Sequence, residues 1–134
     1  MSGSVMTACG RVSFSTTNTE VMRGFAFRNI PSAGDAEIHV TFDEPLTELS
    51  LSVGWVQRGE YLARFSIPPT SVSGTLVRQG AAITTSRPYP ADDGRGDVLW
   101  LNPPSSGVSF VLGGPPGTAI GIDGFDVVCR PVAR

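Results

Sequence analysis

Apolar and polar residues take turns along most of this chain, the signature of strands whose successive side chains point to opposite faces of a sheet. Val12 and Phe14 alternate with Ser13 and Ser15, and Ile38, Val40 and Phe42 with Glu37, His39 and Thr41. Leu49, Leu51, Val53 and Trp55 then alternate with Glu48, Ser50, Ser52 and Gly54. Tyr61, Ala63, Phe65 and Ile67 make a fourth row. Shorter runs follow at Phe25 with Phe27, around Leu76, from Val98 to Leu101 and from Val108 to Leu112. No segment sustains a helical period over three turns.

Turn formers punctuate these rows at intervals of roughly ten residues, the spacing of sandwiches and small barrels. They lie at Pro31–Asp35, Asp43–Pro45, Gln57–Glu60, Pro68–Thr70, Arg87–Asp97, Asn102–Gly107 and Gly113–Gly117. No break in composition marks a linker, so the pattern predicts one all-β domain over residues 1–134. Its architecture is expected to be a single antiparallel β-sandwich of about eight to ten short strands.

The closing segment carries an irregularity. Ile120 and Ile122 occupy even positions, whereas Phe125, Val127 and Cys129 occupy odd ones. Because a one-residue slip flips every side chain to the other face, both sets can be buried only if a residue is inserted between them. A β-bulge at Gly124 is therefore predicted, leaving Asp126 outward.

Composition narrows the partners. A net charge of −2 with 40% hydrophobic residues supplies neither the positive field that attracts nucleic acid nor the polarity of a disordered tail. No apolar stretch reaches membrane-spanning length, so membrane insertion is not expected. All ten basic residues are Arg, which removes every mechanism that depends on a Lys amine. Codon bias explains this, as would selection of the planar guanidinium fork for protein or carboxylate contacts.

Cys9 and Cys129 are the only cysteines. In an oxidising compartment they would tie the first strand to the last; two reduced core thiols are the alternative. The Met start without an apolar leader fits synthesis for the cytoplasm or a virion, whereas the cysteine pair fits export.

Motifs of catalysis are missing. There is no Cys-x-x-Cys, no Gly-x-Ser-x-Gly and no phosphate loop, and Gly113-Gly114-Pro115-Pro116-Gly117 reads as a tight turn. His39, the sole histidine, alternates with core residues and is expected on the surface. Nothing selects a pair of acids for glycoside cleavage from the twelve present. No catalytic residue is assigned, and a non-enzyme is expected.

Binding chemistry is better represented. Asp92-Asp93-Gly94-Arg95-Gly96-Asp97 places three carboxylates in the longest loop, as hard oxygen ligands for calcium or as a solvated turn. Arg95-Gly96-Asp97 is also the tripeptide read by integrins, a short motif that chance readily supplies. Flat aromatic rings stack on pyranose faces while nearby polar groups meet the hydroxyls. The candidate rings are Tyr89, Tyr61, Trp55 and Trp100: Tyr89, held between Pro88 and Pro90, is the best exposed, while Trp55 and Trp100 lie in strand patterns that also suit a core. The ligand-contact candidates are Tyr89, Asp92, Asp93, Arg95, Asp97 and Trp100.

Three stretches, Thr41-Phe42-Asp43-Glu44-Pro45-Leu46-Thr47-Glu48-Leu49-Ser50-Leu51, Gly74-Thr75-Leu76-Val77 and Ala119-Ile120-Gly121-Ile122-Asp123-Gly124-Phe125-Asp126-Val127, resemble the galactose-binding-like jelly rolls of exported bacterial proteins and carbohydrate-binding modules. The resemblance spans roughly residues 36–129. It implies a jelly-roll-like sandwich acting as a non-catalytic binding or adhesion module outside the cell or at its surface. It further implies a structural calcium held by an acid of the last strand, for which Asp123 and Asp126 match and Glu20 is the early-chain partner. The ligand would be a carbohydrate or a protein surface. The rival expectation is a structural protein of a virus or phage particle, a capsid decoration or tail-fibre domain, assembling as a homo-oligomer.

Overall fold

The computed structural model describes residues 2–23, 26–30, 34–57, 59–85, 94–114 and 120–131, and the backbone alone at 23 and 29. The described residues contain strands and no helix, so none is long and apolar enough to cross a membrane. The strands are β1 (Ser2–Thr7), β2 (Gly10–Thr16), β3 (Thr19–Arg23), β4 (Ala26–Asn29), β5 (Ala36–Phe42), β6 (Leu46–Val56) and β7 (Tyr61–Ala63). After these come β8 (Ser71–Val72), β9 (Leu76–Gln79), β10 (Ala82–Thr85), β11 (Gly94–Leu101), β12 (Val108–Gly113) and β13 (Gly121–Cys129).

All pairings are antiparallel, and they build a seven-stranded sheet in the order β1-β2-β5-β12-β7-β10-β9 and a six-stranded sheet in the order β3-β4-β13-β6-β11-β8. The pairs are nested: β4 with β13, β5 with β12, β6 with β11 and β7 with β10. Successive pairs alternate between the two sheets. A long antiparallel ribbon rolled in this way is a jelly roll, and the roll brings strands distant in sequence face to face.

The period-two pattern is what closes it. Along β5 every even residue (Ala36, Ile38, Val40, Phe42) is buried and every odd one exposed. Leu49, Leu51 and Val53 of β6 and Val98 and Trp100 of β11 meet them from the other sheet in one continuous core. Aromatic rings fill its two ends. Phe14 lies 5.3 Å from Phe125, and Phe110 stands 5.5 Å from Phe65 and 6.0 Å from Trp100 between ring centroids. Cys9, in the turn between β1 and β2, is bonded to Cys129 at the end of β13, so the disulfide joins one sheet to the other.

The described residues form thirteen strands where eight to ten were expected. The additions are β1, β3, β8 and β10, short or polar segments whose strand conformation comes from a neighbour's hydrogen bonds rather than from their own pattern. The row from Tyr61 to Ile67 is also corrected. In β7 it is Leu62 that is buried, between Ile83 and Leu112 on the adjacent strands. Arg64 then takes a left-handed backbone conformation at φ +55°, which ends the strand and turns Phe65 back to the core. Ile67 is left exposed.

In β13 the inserted residue is Asp123. Ile122 pairs with Val53 and Gly124 with Ser52, so the bulge falls one position before Gly124. The parity argument holds: Ile120 and Ile122 are buried, Phe125, Val127 and Cys129 pack on the core, and Asp126 is exposed.

Candidate functional site

A second bulge sits beside the first. Arg95 of β11 faces two residues of β6, Gly54 and Trp55, because Gly94 pairs with Val56 while Gly96 pairs with Val53. Trp55 is the extra residue, in left-handed conformation at φ +58°. A bulky residue rarely adopts that region, and such strain marks sites where a side chain is re-aimed. Here the indole leaves the core row of Leu49, Leu51 and Val53 and emerges, half-buried, on the outer face of the six-stranded sheet.

One glycine makes room for it and a second for the charged side chains next to it. Gly54 and Gly121 pair directly across β6 and β13. A Cβ at Gly121 would lie 2.5 Å from Cε3 of Trp55, so the ring can spread there only because that side chain is hydrogen. A Cβ at Gly54 would lie 2.9 Å from Oδ2 of Asp123 and 3.6 Å from Cζ of Arg95, so these two side chains cover the second glycine.

Charge brackets the ring on both sides. The Arg95 guanidinium stands 6.0 Å from the indole centroid, within cation–π range, and its Nη1 is 3.8 Å from Oδ2 of Asp123. In register on the other side, Arg28 pairs with Gly121 and donates through Nε to Oε1 of Glu20 at 2.7 Å. Further along the same face the register sets Ser52 beside Gly124 and Asp97, and Ser50 beside Asp126. An aromatic platform is thus flanked by two guanidinium donors, carboxylate acceptors and serine hydroxyls.

Among the residues predicted from sequence, Arg95, Asp97, Asp123, Asp126 and Glu20 all lie on this one sheet. Among the described residues no three His, Cys, Asp or Glu side chains group as metal ligands. Glu20 engages Arg28, and Asp123 lies beside Arg95, rather than the acids converging with Asp126. Tyr89, Asp92 and Asp93 fall outside the described residues.

Trp100 is corrected. It is 1% exposed, and its Nε1 donates to the carbonyl of Ile67 at 2.8 Å, so it is a core residue with no face for a ligand. The Arg95-Gly96-Asp97 tripeptide is likewise no loop tip. Arg95 N and Asp97 N donate to Thr75 Oγ1 and Ser73 Oγ, each at 2.9 Å. The carbonyls of Arg95 and Asp97 accept from the backbone amides of Thr75 and Ser73, and a Cβ at Gly96 would lie 2.0 Å from Ser73 O. Trp55, a candidate ring that alternation assigned to the core row, is absent from the ligand-contact residues read from sequence. The signal was Val56: Val53 and Val56 can both face inward only if one residue is inserted between them.

Compared with protein-family models, with curated protein sequences and with solved structures, the chain matches none.

Proposed function

We propose that this protein is a non-catalytic binding module that takes a carbohydrate on the outer face of its six-stranded sheet. The carrying observation is Trp55: a strained bulge, a glycine against the ring and an arginine 6.0 Å from its centroid together hold an indole at the surface that parity alone would bury. A flat ring suits the apolar face of a pyranose, while Asp123, Ser52 and Asp97 accept or donate to hydroxyls and Arg95 donates. No cofactor is needed for that contact. The Cys9–Cys129 disulfide supports an oxidising compartment, and with it action outside the cell or at its surface.

A glycan array with the intact chain tests this, with and without calcium, beside the Trp55→Ala variant and a measurement of size in solution. Saturable binding to a glycan class that Trp55→Ala removes is the expected result. A stable oligomer indifferent to every glycan would refute the reading and favour a structural role in a virus or phage particle.

A further inference from the structure

Two bulky residues in the described chain hold left-handed backbone conformations, Trp55 and Arg64; the other non-glycine cases, Asn18 and Asn102, are of a type that tolerates it. The second bulky residue marks a second place. Arg64 stands at the mouth of a groove of about 510 Å³, lined also by Phe65, Pro68, Pro69, Arg78 and Ile83. That size lies within the range of small-molecule sites. None of its described lining residues is acidic.

Hydrogen bonds tie the loop part of the groove wall to the sheets. Ser66 N donates to Ser109 O and Ser109 N to Ser66 Oγ, each at 2.9 Å. The carbonyl of Ile67 accepts from Trp100 Nε1, and Thr70 N donates to Leu99 O at 2.7 Å. Phe65 is backed by the core rings of Phe110 and Trp100. Arg78 lies on edge strand β9 directly opposite buried Ile83, which turns it toward the gap between the sheets, and its Nη2 donates to Pro69 O. A guanidinium carries five N–H donors, so among the described residues this bond leaves donors for a ligand.

We infer that this groove binds a carboxylate carried on an apolar body, with the apolar part against Phe65 and Pro68 and the carboxylate between Arg64 and Arg78. Two guanidiniums, with no acid among the described lining residues, match an anion, and their planar fork suits a carboxylate. The apolar floor disfavours a small, fully hydrated ion. The left-handed backbone at Arg64 fits the same role, since it places a cation at the mouth and turns Phe65 beneath it. The inference does not depend on Trp55 or on carbohydrate binding.

The test is a titration of the intact, isotope-labelled protein with phenylacetate and with neutral phenylacetamide, following the backbone amides of Arg78, Gly80 and Ala82. Phenylacetate should give saturable shifts there, with the amide weaker by about tenfold, the factor that corresponds to about 1.4 kcal/mol of charge-assisted bonding. Arg64→Gly removes the guanidinium while suiting the backbone conformation, and should weaken phenylacetate about tenfold without loss of thermal stability. Arg78→Ala should weaken it comparably, and Trp55→Ala should leave it unchanged. Equal affinity for acid and amide, unaltered affinity in Arg64→Gly, or no saturable shift with phenylacetate would each overturn the assignment.

Discussion

Removing the Cys9–Cys129 disulfide isolates one term of this protein's stability. The two residues are 120 apart in sequence, so the bond closes nearly the whole chain into one loop. In the chain-entropy model a loop of that size loses about 16 cal/mol/K from the unfolded ensemble, which is about 5 kcal/mol at 25 °C. That is a third or more of the stability of an ordinary domain, at about 5–15 kcal/mol. Little of the folded geometry depends on the bond. The turn carrying Cys9 is held by its own hydrogen bonds, Cys9 N to Thr7 Oγ1 at 3.0 Å and Thr7 Oγ1 to Gly10 O at 2.7 Å. Cys129 ends a strand already paired along β6. A Cys9→Ala/Cys129→Ala double variant should therefore keep the native circular dichroism spectrum yet lose about 3–5 kcal/mol in urea unfolding. Its Tm should fall by about 10–20 °C. Intact mass before and after reduction, differing by two hydrogens, verifies the starting state. A loss below about 1 kcal/mol in a chain shown to be oxidised at the outset would refute this account of the cross-link.

Three further outcomes are expected. Trp55→Ala should abolish iodide quenching of tryptophan fluorescence, because the remaining indole, Trp100, is 1% exposed, whereas the parent protein should be quenched in part; steady-state emission checks this. Gly121→Ala puts a Cβ 2.5 Å from the Trp55 ring and should cost about 1–3 kcal/mol in chemical unfolding while displacing the indole, seen as a shifted emission maximum. Glu60→Ala should cost about 1–3 kcal/mol by the same assay, since the buried carboxylate accepts from the backbone amide of Gln57 and shapes the turn before β7.

Much of the architecture is legible in the residues themselves. Strict alternation from Ala36 to Phe42 and from Glu48 to Val53 specifies both strands and their buried faces, because period two permits only one assignment of side chains to the core. The parity change after Ile122 likewise demands an inserted residue from the sequence alone. Alternation says nothing about which strand lies beside which. The nested pairing of β4 with β13 and β5 with β12 is a matter of long-range contact, and so is the recruitment of polar β1 and two-residue β8 as strands. The candidate site shows the same division. The parity change places an irregularity at Gly124, one position from the inserted Asp123, whereas Trp55 extends an apolar row and reads as core. Its emergence required a bulge in β6, a bulge in β13 and the glycine pair between them to fall side by side. A residue's own pattern carries its preference for a dry or wet environment; which surface it reaches, and what charges meet it there, is set by neighbours that only the packed sheets supply.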